Sequence, residues 1–495
     1  MTWKNRLDRL TQQVFSPVGL VVLFAVVLTT FYTVQCSCLQ NVLGLDVLET
    51  ITWGARQTLG QTKHPPLSGY LGYAISALGN HADWIMYLAA QLCIALGVWF
   101  SYRCSRLFLD ENRAAVSALL LYFLFYYNPS ETRFCTYTLE ILLTPLASFF
   151  FFRALRDDRL ADYLTLGVLA ATGLLNKYSF ALVLLAFAVI VLKNPAYRRR
   201  LCGYKLYLAM LLALALLSPH LIWLYQHDFS CLHHVGSRIN HQFRWYMPLS
   251  ALGSAIYPYA MMFAALFLAC LPDWKRRRRI VPDTKVAVDA LLIGALPSAV
   301  LVLLTLCGKT IVAMWFCTMA SLAGLAVVAF FPFEIDLKTV RRLAVYLAVF
   351  SLVMFTATTL DVLYSSRVHL HADPQDYVQL AEQFFQKHTD RPIPLVAGAA
   401  FESSLLENYL PHRPPSLSAD DELALELYRD KIFREGALLI GSEEELQLLC
   451  DQLNCRVKWE NYHLPYHALL GRTRRNYFFM AYLPPQSQPE AGSPR

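Results

Sequence analysis

The sequence predicts an all-α, multi-span membrane protein with a small C-terminal α/β domain outside the bilayer. Three observations carry this. Of 495 residues, 56% are apolar and only 16% charged, against about 45–50% and about 25% in soluble domains. Mean hydropathy is +0.38. Apolar runs of spanning length recur to about residue 364, and none follows. These figures exclude a disordered chain and an ordinary soluble enzyme.

A spanning helix needs about 20 mostly apolar residues. Eleven segments qualify as candidates: 16–35, 83–102, 114–128, 139–155, 161–176, 179–193, 205–224, 249–271, 286–307, 311–331 and 343–364. The first is too long for a signal-peptide core and lacks a small-x-small site at Thr33-Val34-Gln35-Cys36, so it reads as an uncleaved span. Lys and Arg then set the orientation. With the N-terminus in the cytoplasm, 23 lie in the N-terminal segment and alternate loops, including the Lys275–Arg279 run, and seven lie opposite: Arg56, Lys63, Arg133, Lys177, Arg238, Arg244 and Lys309. The positive-inside rule therefore puts the first loop (36–82) and the C-terminal region outside. The net charge of +7 reads as topology and not as nucleic-acid binding.

From 365 the composition turns polar. Helices are expected at 373–387, 402–409 and 443–453, and strands at 393–397, 436–440 and 475–483. The domains expected are 1–364 in the membrane, 365–484 outside, and a disordered tail at 485–495. Cys450 and Cys455 are near enough in sequence to bridge; Cys93, Cys104, Cys202, Cys270 and Cys317 read as small apolar fillers in or beside spans.

Chemistry concentrates in the first outer loop. Residues 44–60 fit an amphipathic helix with Leu48, Ile51, Ala55 and Leu59 on one side, suited to the membrane surface. Asp46 and Glu49, three apart, share a neighbouring face. They are either catalytic carboxylates or helix-capping acids that complement the dipole. Lys63-His64-Pro65-Pro66-Leu67 follows as a rigid turn. It either anchors the chain at the interface or offers cations to a phosphate at headgroup depth.

An acidic first outer helix ending in Trp53-Gly54, then Lys63 to Leu67 before the next span, resembles the GT-C polyprenyl-phosphate-sugar glycosyltransferases. That group includes bacterial lipid A aminoarabinose and galacturonic acid transferases and the protein O-mannosyltransferases. Tyr127-Asn128-Pro129 to Glu131-Thr132-Arg133-Phe134, Gly173 to Tyr178, and Ser218-Pro219-His220-Leu221 with Trp223 and His227-Asp228-Phe229 support it over about 40–240.

The resemblance implies a GT-C membrane fold and an inverting transfer from a polyprenyl-phosphate sugar to a lipid or glycan acceptor, such as lipid A or lipopolysaccharide. The site would face the periplasm of a bacterial inner membrane. It implies Asp46 as general base, with Glu49 as second choice. Lys63, His64, Arg133, Lys177, Arg238 and Arg244 become the candidates for the donor phosphate. No cofactor is required; some members use a divalent metal, for which His64 is the candidate ligand among His220, His227, His233, His234 and His241. A protein acceptor, a transporter or flippase, and a non-catalytic scaffold are the alternatives. A flippase needs intramembrane charge along a path, whereas charge here gathers in outer loops.

Overall fold

The computed structural model describes residues 12–128, 133–232, 243–309, 311, 313–316 and 318–486. Arg238, His233, His234, His241, residues 129–132 and most of the tail lie outside the described residues. The chain divides into two compact units. One comprises Met1–Val34 and Tyr87–Thr358, the other Gln35–Met86 and Thr359–Arg495.

Seven helices among the described residues are long and apolar enough to cross a bilayer: Pro17–Leu39, Asp83–Ser105, Thr136–Asp157, Tyr204–Gln226, Met247–Arg276, Thr284–Cys307 and Leu337–Tyr364. Phe180–Lys193 with Pro195–Cys202, bent by 103°, makes an eighth if it is one span. The chain is a multi-pass membrane protein. Of the eleven expected segments, the others fall short of this length. Residues 114–128 give the helix Glu111–Leu119 followed by short 3-10 turns. Leu160–Asn176 has 17 residues, about 25 Å of helix against a hydrocarbon core of about 30 Å. Residues 311–331 break into 3-10 turns before Ala323–Phe330. Hydropathy registers an apolar run but not a break inside it.

Ion pairs separate the two ends of the first unit. Asp158, just past the Thr136–Asp157 helix, holds Arg200 at 2.8 Å and Lys205 at 2.9 Å. At the opposite end of that helix Glu140 meets Lys177 at 3.5 Å. Two residues from the 23-member set, Arg200 and Lys205, and one from the seven-member set, Lys177, thus sort to different ends. Burial also forces Asp289, 2% exposed, into a pair with Lys193 at 2.6 Å.

The second unit carries a five-stranded sheet of order β2-β1-β3-β5-β4. Its strands are β1 (Val396–Gly398), β2 (Ser416–Ser418), β3 (Ala437–Gly441), β4 (Trp459–Tyr466) and β5 (Arg474–Leu483). β1 runs parallel to β2 and β3, while β5 is antiparallel to β3 and β4. The helices Pro374–Gln386, Ala400–Tyr409 and Glu443–Leu453 occupy the expected places, and Glu422–Glu435 is added. Leu395, Ile432, Leu439, Leu446 and Leu449 form the fully buried centre of this core. β2 and β4 escaped the sequence reading. β2 is three residues long after Pro414-Pro415, and β4 is an edge strand carrying Glu460, Asn461 and His463, as edges that resist further pairing do.

The first outer loop corrects one expectation. Its helix runs Leu45–Ala55, short of residue 60, and every residue from Val47 to Gly54 is buried. It packs on the Leu67–Leu78 and Ala400–Tyr409 helices. It is a core helix of its unit, with protein against both its apolar and its polar side. The amphipathic pattern marked one apolar side, but the opposite side is covered by protein. Cys450 and Cys455 are free thiols here.

Candidate functional site

The Leu45–Ala55 helix begins at Gly44, which offers no side-chain cap. Asp46 is therefore not the capping residue; it stands in the first turn, where a carboxylate complements the helix dipole. Glu49 follows one turn later and is 8% exposed. At the far end Trp53-Gly54 has a steric reason. A Cβ on Gly54 would come within 2.0 Å of the Gly69 carbonyl oxygen, so only glycine lets these two helix backbones touch.

The connecting turn is closed by its own hydrogen bonds. The Gln61 amide N–H donates to the His64 carbonyl at 3.1 Å, and Gln61 Nε2 donates to the Trp53 carbonyl at 3.0 Å. Pro66 caps the Leu67–Leu78 helix. The His64 ring meets Trp53 edge to face at 5.5 Å.

This turn returns Lys63 to Glu49. Lys63 Nζ donates to Glu49 Oε1 at 2.8 Å and lies 3.5 Å from Asp420 Oδ2. Burial raises the Glu49 pKa, against the opposing pull of Lys63; the nearby charges of Asp46 and Asp420 raise it further. Burial alone would lower Lys63, but Glu49, its hydrogen bond and the Asp420 and Asp421 charges outweigh it and hold the ammonium above its ordinary range. The site therefore pairs a carboxyl whose pKa burial raises with an ammonium whose acidic neighbours hold it above its ordinary range.

Behind it lies a second layer. Arg56 binds Asp421 at 2.5 Å, each side chain 4% exposed, and donates to the Ser416 carbonyl at 3.1 Å. Thr62 donates to Asp421 Oδ1. Ser416 Oγ donates to Glu407 Oε2 at 2.6 Å, and burial pushes the Glu407 pKa up to about 7 against Ser416 and Arg56. Asp420, Asp421 and Glu407 were missed from the sequence. Asp421 caps the Glu422–Glu435 helix through the Ala424 N–H, and a cap is all its position advertised.

The first unit holds a separate constellation. Lys177 Nζ lies 3.5 Å from Glu140 Oε2 and 3.8 Å from the centre of the Tyr137 ring. Ser179 Oγ donates to Glu140 Oε1 at 2.8 Å. Tyr178 hydroxyl and His220 Nε2 share a hydrogen bond of 2.8 Å, and the Trp223 ring stacks on His227 at 4.3 Å. Arg133 is half-buried just before the Thr136–Asp157 helix. Arg244 is exposed and donates to the Tyr246 hydroxyl at 2.9 Å. Among the described residues no group of three or more His, Cys, Asp and Glu side chains is placed to hold a metal ion, and His64 joins none.

The chain aligns over most of its length with a solved structure, ArnT from Cupriavidus metallidurans bound to undecaprenyl phosphate. The TM-score is 0.62 at 16% identity, covering 93% of this chain and 98% of that one. Apo ArnT gives 0.59 at 15% identity, covering 94% and 98%. The chain has the GT-C fold.

Sequence comparison reaches less far than this fold. A family model described as dolichyl-phosphate-mannose-protein mannosyltransferase matches residues 63–223. That span contains Lys63, His64, Arg133 and Lys177 of the GT-C chain, but not Asp46, Glu49 or Arg244. The lipopolysaccharide core galacturonosyltransferase RgtA of Rhizobium johnstonii is 27% identical over 188 residues, 38% of each chain. RgtB of the same organism, with the same description, is 25% identical over 233 residues, 46% of this chain and 47% of the relative. The matched stretches thus span less than half of each curated relative.

Proposed function

We propose that the protein is an integral membrane glycosyltransferase. It takes a sugar from a polyprenyl-phosphate donor and passes it, with inversion, to a lipopolysaccharide-type acceptor on the periplasmic face of a bacterial inner membrane. The observation that carries this reading is the Glu49–Lys63 pair, built across the Gly54–Gly69 helix contact, in a fold shared with an undecaprenyl-phosphate-binding enzyme. The names of RgtA and RgtB favour lipopolysaccharide as the acceptor class. The 23-to-seven division of cations favours the periplasmic face.

In the proposed step an acceptor hydroxyl oxygen attacks the anomeric carbon. The bond from that carbon to the phosphate oxygen breaks, and polyprenyl phosphate leaves with the electron pair. The hydroxyl proton passes to Asp46, the base. Glu49 keeps Lys63 in place, and Lys63 neutralises charge growing on the phosphate. His64, Arg133, Lys177, Arg238 and Arg244 are the remaining candidates for the phosphate. No step is routed through a metal; His64 is the residue to substitute if turnover proves sensitive to chelators.

Mass spectrometry of envelope lipids from cells with and without the gene tests the acceptor. Loss of one sugar mass from a lipopolysaccharide species, restored by wild type and not by Asp46→Asn, supports the reading. An unchanged lipid profile with a sugar missing from protein would move the acceptor to the protein class.

A further inference from the structure

Lys63 has two carboxylate partners, and they are held differently. Glu49, its side chain only 11% exposed, accepts from Lys63 at 2.8 Å. Asp420 stands at 3.5 Å and is 61% exposed. Pulling Lys63 from Glu49 leaves a buried charge unpaired, which is costly. Releasing Asp420 returns a carboxylate to water at little cost. Asp420 also has a second hold, because Ser418 Oγ donates to its Oδ1 at 2.7 Å. The chain beside it is anchored by Asp421 through Arg56 and Thr62. The backbone at Asp420 is thus fixed beside this tie, while its side chain stands 61% exposed at the edge of the pair.

We propose that Asp420 is a displaceable counter-ion on Lys63 that favours the phosphodiester donor over the phosphomonoester product. This rests on the reading of Lys63 as a phosphate ligand. The donor diester carries a single negative charge. Once the sugar leaves, the monoester carries about 1.5–2 negative charges near pH 7. Repulsion scales with the product of the charges, so a carboxylate beside Lys63 opposes the product more than the donor. Asp420 occupies Lys63 between turnovers, yields to the incoming diester, and returns as the monoester departs. It touches Lys63 and not the reacting atoms, so it is a positioning residue.

The test is equilibrium binding to the full-length protein in lipid nanodiscs with two probes. One is undecaprenyl phosphate; the other is its methyl phosphodiester, which has the donor's charge. Wild type is compared with Asp420→Asn, Asp420→Glu, Lys63→Gln and the Asp420→Asn/Lys63→Gln double variant, with a thermal midpoint for each. Asp420→Asn is expected to tighten the monoester about two- to fivefold, the scale of a largely exposed ion pair. The diester should tighten less, the gain should vanish in the Lys63→Gln background, and Asp420→Glu should restore wild-type binding at an unchanged midpoint. Equal gains for both probes, no gain, or a gain that survives Lys63→Gln would overturn the role of Asp420 while leaving the proposed function standing. Undiminished monoester binding by Lys63→Gln would remove the phosphate reading of Lys63, and this inference with it.

Discussion

At the scale of single residues, burial holds Glu49 and Glu407 of the second unit above their ordinary carboxyl range. Their consequences for pH differ from those of a surface acid. An unfolded Glu ionises near about pH 4.3, whereas Glu407 holds its proton to about 7. Between those values the native state binds more protons than the unfolded one, so stability falls as pH rises. Glu407→Gln keeps the shape and removes that loss. Its thermal midpoint should exceed wild type at about pH 8 and match it more closely at about pH 5, a gain on the order of 1–3 kcal/mol. An identical pH dependence in the two proteins would show that the group is not held protonated. The same scale shows what sequence could reveal. Asp46, Glu49 and Lys63 were legible because they crowd one short loop between apolar runs. Glu407 and Asp420 were not, since they lie about 360 residues further along and nothing local marks them as neighbours of that loop.

At the scale of elements, the first outer loop is held by the segment 416–421. Arg56 and Asp421 form its buried tie, and Thr62 and the Ser416 carbonyl complete it. Removing one member of such a pair strands the other in a dry site. Asp421→Ala should cost about 3–5 kcal/mol, read as a large drop in thermal midpoint. Arg56→Met with Asp421→Leu should cost clearly less than the single change, and equal losses would argue against a desolvated pair. Elements also show where periodicity misleads. The pattern of Leu48, Ile51, Ala55 and Leu59 suggested a helix on the membrane surface. Its polar side carries Glu49 and Thr52, which are as buried as the apolar side, because other elements of the same unit cover them. Periodicity reports which side is apolar, and it cannot report that the polar side also finds partners.

At the scale of the whole molecule, charge sorting gives a topology that the chain's own thiols can test. Cys38 and Cys202 are both exposed; the orientation proposed puts Cys38 outside and Cys202 on the cytoplasmic side. In spheroplasts, variants retaining one of these two should behave oppositely toward an impermeant maleimide, with Cys38 labelled and Cys202 protected until lysis. The reverse pattern would invert the topology and place Lys63 on the wrong side for a periplasmic donor. Fold class and the order of the helices were readable because hydropathy and loop charge act along the sequence. The number of full-length spans was not, because breaks near 120 and 320 depend on packing. Sugar transfer with Asp46 as the proposed base is tested by one assay. Purified protein in vesicles is given a polyprenyl-phosphate sugar and a lipopolysaccharide acceptor, and the transferred sugar is counted. Wild type should turn over, and Asp46→Asn should be slower by about 10²–10⁴-fold, the usual contribution of a general base, with its thermal midpoint and donor binding intact. Turnover by Asp46→Asn at the wild-type rate would exclude Asp46 as the base.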